Sequence, residues 1–343
     1  MRPLLRDFER KIAMVTAPLV NLSTRRALLT LRETRPTLPI ARSRFREDLP
    51  AVVRAFIAMC EEASPEGGFL VDRGAGADEA GHAIGVAAIT ARLTGILGLP
   101  AQEQTMIVSA ALLHDVGLIF VPAAVRAKPH SQRSIPERIR FEDHAILGEA
   151  LLEPFGTPSL HLSIVAGEHH ERVDGSGYPR GRAGGHRLLR TAEDKRDVER
   201  MTLASEIVAV ADVYERLIAP GPGYEGRSPA AARAVMEEAA GRTLNRDIVH
   251  RFLESFPVLP AGTEVIVDHG PYEGMRGLVS VLRPGGEDDP VVRLFLDADG
   301  RQLDEAIEVD LARDRTTGVV LAETAVAEFV RRRRSSGRVP AAR

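Results

Sequence analysis

Apolar positions recur at helical intervals through most of the chain and change to short β-like runs near its end. Leu4, Leu5, Phe8, Ile12 and Val15 have the spacing of an amphipathic helix. A second amphipathic helix is predicted over about 47–72, ending near Gly67-Gly68, with 72–80 a loop around Gly74 and Gly76. His82, Val86, Ile89 and Leu93 fall at near-helical intervals before the stop signal of Gly98 and Pro100. Another helix is predicted over about 101–115, broken at Gly117 and closed by Pro122. A polar, proline-punctuated stretch over 128–136 then precedes a helix carrying His144. Further helices are predicted over about 158–170, 202–218 and 228–240. With no alternating pattern before residue 260, the central region reads as all-α. The runs 263–267, 277–282 and 291–296 are short, valine-rich and separated by glycine and proline, and Asp299-Gly300 is a hairpin signal. These predict a small β-barrel-like or β-sheet module.

The predicted fold class is therefore mainly α, in four parts. A helical, arginine-rich segment covers 1–75, a helical domain 76–258 and a small β-rich module 259–322. Over 323–343 a short helix leads into a basic tail read as disordered. The arginines of the first segment are interleaved with apolar residues. It fits a helix packed on the main domain or on a partner, or an arm for a membrane surface or acidic partner.

Composition narrows the functional classes. The net charge of −3 over 343 residues argues against a nucleic-acid polymer as partner. The single cysteine, Cys60, rules out an intrachain disulfide framework and leaves any metal to nitrogen and oxygen ligands. No apolar run approaches the roughly 18–20 residues of a membrane span, and no secretory signal is evident. The expectation is a cytoplasmic protein.

The chemistry concentrates in His114-Asp115, His144, His169-His170 and Asp212. Asp115 and Asp212 lie in apolar stretches, 110–120 and 207–214, where an unpaired carboxylate would cost several kcal/mol. Neighbours on a helix point about 100° apart, so His114 and Asp115 reach one metal only where the helix ends, and Gly117 supplies an end. His169-His170 likewise precedes the turn-rich 174–177. The residues alone fit either a metal site of the iron, manganese or zinc type or a buried His–Asp hydrogen-bond network. His130, His161, His186, His250 and His269 lie in contexts that do not suggest ligands.

Together, the segment 114–117, His144, the run from Glu168 to Pro179 (EHHERVDGSGYP) and 210–214 resemble the HD-GYP subgroup of the HD phosphohydrolase superfamily. The resemblance covers roughly 78–256, and the β-rich segment is similar to a C-terminal extension of some members. It implies an all-α, metal-dependent phosphodiesterase that hydrolyses cyclic di-GMP, or a related cyclic dinucleotide, to the linear dinucleotide or GMP. The implied ligands are His114, Asp115, His144, His169, His170 and Asp212. Asp115, the implied catalytic residue, would bridge two divalent metals, iron or manganese with zinc as an alternative, that generate a bridging hydroxide. For a third metal, His82 matches the family histidine, and Asp78 stands where the family has glutamate. Gly177, Tyr178 and Pro179 would line the substrate pocket.

The chain departs from the pattern at three places. Leu118 replaces a lysine that contacts phosphate. Tyr224 matches the family's substrate segment, but Glu225 stands where an arginine is expected, with Arg227 two positions on. The link from Pro179 to Met201 is enlarged by charged residues over 193–197, read as an exposed loop beside the site. These departures keep two alternatives open, a catalytically weak metal-binding sensor or adaptor and a phosphohydrolase of another nucleotide. Protein partners would engage the N-terminal segment or the β-module, and a homodimer is compatible with the sequence.

Overall fold

The computed structural model describes residues 25–29, 45–62, 79–153, 160–191, 193–194, 197, 199–219, 226–227, 229–255, 264–283 and 286–321, together with Arg2, Arg6 and Arg10. The expectations for Asp78, Tyr224, Glu225, Gly67-Gly68, the loop at 72–78 and the tail after 322 lie outside the described residues.

The chain divides into two units, one helical and one built of strands. The helices are α1 (Phe45–Glu62), α2 (Glu79–Ile96), α3 (Ala101–Leu113), the short α4 (Ala123–Arg126), α5 (Ile135–Glu142), α6 (His144–Leu152), α7 (Leu160–Glu168), α8 (Leu203–Ile218), α9 (Pro229–Ala239) and α10 (Arg246–Ser255). α2 is apolar around most of its circumference, and buries Val86, Ala87, Ile89 and Leu93. Such a helix belongs inside a bundle. It packs on α3 and α8, while α7 packs on α3, α6 and α8. The centre of the bundle is thus made by α2, α3, α7 and α8, and these carry or adjoin the candidate ligands.

Two local features set the site. α3 stops at Leu113, and after Asp115 (φ −94°, ψ 9°) the chain turns into a 3₁₀ helix over Val116–Phe120. The predicted break therefore falls at the ligand pair itself. Gly117 then lies against the first turn of α6. A Cβ on Gly117 would stand 1.9 Å from the His144 carbonyl oxygen and 2.7 Å from the Gly148 nitrogen. Only glycine lets this turn approach the helix so closely, which brings Asp115 to His144.

The stretch 128–136, expected as loop before one helix, already contains the start of α5. Ser134 and Glu137 form a capping box and Pro136 sits in the first turn, where proline is tolerated. Helix α6 then starts separately at His144. Helix α10, which buries Ile248, Val249, Phe252 and Leu253, had no counterpart in the sequence reading.

The second unit is a five-stranded antiparallel sheet of order β4-β3-β2-β1-β5, with β1 Glu264–His269, β2 Arg276–Arg283, β3 Gly286–Leu296, β4 Gln302–Asp310 and β5 Gly318–Leu321. The predicted runs are β1, β2 and the end of β3, and Asp299-Gly300 makes the β3–β4 turn, with Gly300 at φ +81°. Strands β4 and β5 were not predicted. β4 is mostly polar and keeps only Val309 fully inside, so it lacks the valine-rich signature. Val265, Val267, Val279, Val292, Leu294, Val309 and Leu311 form the core of the unit.

Because the Gly117 approach is backbone to backbone, Gly117→Ala should lower stability by about 3 kcal/mol or more. Gly95 in α2 has nothing within 4 Å of an added Cβ, so Gly95→Ala should be neutral or stabilising by up to about 1 kcal/mol. Thermal unfolding of the two variants checks the pair. Equal melting temperatures would contradict the close approach.

Candidate metal centre

The predicted ligands converge from separate elements. His114 and Asp115 come from the end of α3, His144 from the first residue of α6, and His169-His170 from the end of α7. Asp212 lies in the middle of α8. All are buried or nearly so, and His82 of α2 joins them.

The ring orientations are fixed from behind. Nδ1 of His114 donates to the Ala111 carbonyl at 2.6 Å, Nδ1 of His144 to the Phe141 carbonyl at 2.6 Å, and Nδ1 of His169 to the Ala166 carbonyl at 3.0 Å. Each of these carbonyls belongs to the helical turn preceding the ring, so helix geometry itself selects the tautomer. With the proton on Nδ1, each Nε2 presents a lone pair inward. His82 is oriented from behind by Glu215, which meets its Nδ1.

The inward atoms crowd together, and most of them do not satisfy one another. Nε2 of His82 lies 3.2 Å from Nε2 of His114, and Nε2 of His144 lies 3.3 Å from Nε2 of His169. Asp115 Oδ1 is 3.1 Å from His144 Nε2 and 3.3 Å from His169 Nε2. Its other oxygen, Oδ2, is 3.5 Å from both His82 and His114 Nε2. Asp212 Oδ1 is 3.1 Å from His82 Nε2. Asp115 Oδ1 and His170 Nε2 are buried with no hydrogen-bond partner. Opposed lone pairs and orphaned acceptors are what a cation satisfies. The donor atoms of Asp115, His144, His169 and His170 lie within 4.8 Å of one another, as do those of His82, His114 and Asp115. Asp115 belongs to both groups, and imidazole with carboxylate suits a divalent transition metal.

The electrostatics keep the two carboxylates and the His169-His170 pair in ligating form. Burial opposes charge on Asp115, but His114 and Arg216 beside it outweigh that and hold its carboxyl well below the usual range. Burial likewise opposes charge on Asp212, and Arg216 and His82 overcome it. Burial pushes His169 down to about 4 and His170 well below its ordinary value, so both rings are neutral at pH 7.

A carboxylate scaffold holds the run after α7. Glu168 accepts from Ser205 Oγ at 2.7 Å and the Thr202 N–H at 3.1 Å, and also pairs with Arg182, which ties α7 to the start of α8. Glu171 accepts the Arg180 and Arg182 N–H groups at 2.7 and 2.9 Å, closing the loop that carries Tyr178. Tyr178 stacks on His170, ring centroids 4.6 Å apart, and a cis peptide bond joins it to Pro179. Burial and then Asp115 push the Tyr178 phenol far up, so it stays neutral. A Cβ on Gly177 would strike the backbone of 170–172, so that glycine serves close packing of the loop. Leu118 is buried with Val121, Val125 and Phe141. Arg227 is exposed, and its N–H donates to the Leu217 carbonyl at 2.6 Å.

The family model for the HD domain matches residues 61–248, more than half of the chain. The chain belongs to the HD domain family. Within it, the EHHERVDGSGYP run makes this an HD-GYP protein. Three relatives are similar to it. The chain is 34% identical over 158 residues to the cyclic di-GMP phosphodiesterase response regulator RpfG of Xanthomonas campestris, covering 46% of this chain and 38% of that one. It is 30% identical over 182 residues to the 3'3'-cGAMP-specific phosphodiesterase 3 of Vibrio cholerae, covering 53% and 36%. With the cyclic di-GMP phosphodiesterase PA4108 of Pseudomonas aeruginosa the identity is 29% over 248 residues, covering 71% and 55%. The matches span about half or less of these relatives' own length.

Sequence reasoning on this HD-GYP protein missed two residues of the cluster. Glu215, which orients His82, and Arg216, which pairs with Asp115 and Asp212, follow Asp212 by three and four positions on α8. That i,i+3 and i,i+4 spacing was the available signal. Among the described residues, no helix is long and apolar enough to cross a membrane.

His82 gives a pH-dependent signature. Burial and the nearby Arg216 oppose its charge, but hydrogen bonds to Asp212 and Glu215 prevail and push it from 6.5 up to about 9. A raised histidine stabilises the folded state fully below its unfolded value and loses that contribution as pH rises through the folded one. In excess chelator, thermal stability should therefore fall between about pH 6.5 and 9, and His82→Gln should flatten the fall. An equally steep decline in the variant would contradict the assignment.

Proposed function

We propose that this chain is a metal-dependent phosphodiesterase acting on cyclic dinucleotides, with cyclic di-GMP as substrate and the linear dinucleotide or GMP as product. The observation that carries the reading is the shared carboxylate. Asp115 stands in both donor groups, one oxygen toward His144 and His169 and the other toward His82 and His114.

In this reading His144, His169, His170 and Asp115 hold one divalent ion, and His114, Asp212 and Asp115 the other, with His82 beside them. Iron or manganese fits the donor set, and zinc is compatible with it. The metals, when bound, supply Lewis acidity that activates the attacking water and offsets charge on the phosphoryl oxygens. The protein supplies the rest. The carbonyls behind His114, His144 and His169 keep the rings aimed inward. The neutral Tyr178 hydroxyl is available to donate to a phosphate oxygen, and Gly177 and Pro179 hold it on the pocket wall. Tyr224 and Arg227 are proposed as substrate contacts on sequence grounds. The relatives named for cyclic di-GMP and 3'3'-cGAMP support a cyclic dinucleotide as substrate.

A second reading, a metal-binding sensor with little turnover, is favoured by the burial of Leu118 where the family places a phosphate-contacting lysine. Removing such a charge typically costs about 2–4 kcal/mol in transition-state stabilisation.

One experiment separates them. Anaerobically purified full-length protein should carry bound iron or manganese and hydrolyse cyclic di-GMP, with Asp115→Ala reducing turnover by more than about 10²-fold. 3'3'-cGAMP, run in parallel, ranks the substrates. Bound metal with turnover no higher than in the variant would support the sensor. Failure to bind metal after reconstitution would overturn both.

A further inference from the structure

A cation of the protein itself already stands at one side of this cluster. Arg216, one helical turn beyond Asp212 on α8, donates from Nε to Asp212 Oδ1 at 2.8 Å and from Nη2 to Asp115 Oδ2 at 2.8 Å. These are the carboxylate atoms that face His82 and His114. The opposite side differs. Asp115 Oδ1, facing His144 and His169, accepts no hydrogen bond, and His170 Nε2 beside it is likewise unpartnered. The two oxygens of Asp115 are thus divided, one held by a guanidinium and one left to the three-histidine side.

We infer that Arg216 makes the two metal positions unequal, acting as a displaceable cation that competes with the second ion at Asp115 Oδ2 and Asp212 Oδ1. This rests on the two-metal reading above. Arginine can form two charge-assisted bonds at once, and a divalent ion reaching the same oxygens must break both and stand close to a like charge. Displacement is nevertheless open to it. The Arg216 side chain is 42% exposed, against 1% for Asp212, so the guanidinium can move into solvent without opening the core. Arg216 is a positioning residue here, governing occupancy at its neighbours.

Manganese(II) alone is the probe. Metal-stripped full-length protein is titrated and followed by calorimetry and by the electron paramagnetic resonance signal of free manganese. The wild type should take up one equivalent tightly and a second more weakly. R216A and R216M should strengthen the second equivalent by a factor on the order of ten or more while leaving the first unchanged. R216K, which keeps the charge, should leave the second equivalent weak. Melting temperatures in chelator confirm that each variant is folded, and manganese should raise them more in R216M than in the wild type. Two equal equivalents in the wild type, or a second equivalent unmoved in both R216A and R216M, would overturn the inference while leaving the two-metal reading intact. No uptake of manganese, iron or zinc by any of the proteins would overturn that reading and the inference with it.

Discussion

Two ionised carboxylates inside a helical bundle are the constraint around which this unit is arranged. Asp115 and Asp212 are surrounded by alanine, valine and leucine positions, and neither can stay charged there without a counter-charge. The bundle answers with the guanidinium of Arg216 from α8 and with imidazoles from α2, α3, α6 and α7 whose inward nitrogens can hold a further cation beside the carboxylates. Each helix delivers its group at an end or on one inward face. The break after Leu113 and the bare Gly117 turn are needed because a continuing helix would point His114 and Asp115 apart. Burial cost thus explains both where the helices stop and which residues stand at the stops.

Much of this was legible in the sequence because the cost is local. An aspartate flanked by aliphatic residues declares itself whatever the fold, and a glycine two residues on marks a turn. The convergence of His114, His144, His169, His170 and Asp212 was expected from the family resemblance, and the helices bring those side chains together. Arg216 and Glu215 were passed over for a physical reason. A charged residue near the end of an amphipathic helix usually faces water, and only tertiary packing buried Glu215 and set the half-exposed Arg216 against Asp115 and Asp212. Pro136 misled in the opposite way, since proline disrupts a helix interior yet suits its first turn. Helix α10 escaped because its apolar residues are spread among charged ones over a short span.

The strand-built unit shows the same limit. Valine-rich β1, β2 and the end of β3 are visible because both partners of each pair contribute to one apolar face. β4 pairs with β3 along most of its length but puts few apolar side chains inward. What fixes it is backbone hydrogen bonding, which composition does not record.

The run Glu168-His169-His170-Glu171 has a consequence for how variants of this protein are read. Its inner pair faces the cluster, while its outer pair holds α8 and the Tyr178 loop in register. Lesions at adjacent positions therefore produce the same loss through different causes, one by emptying the site and one by loosening its walls. A loss-of-function allele in this run carries no information about chemistry until its folding has been measured separately.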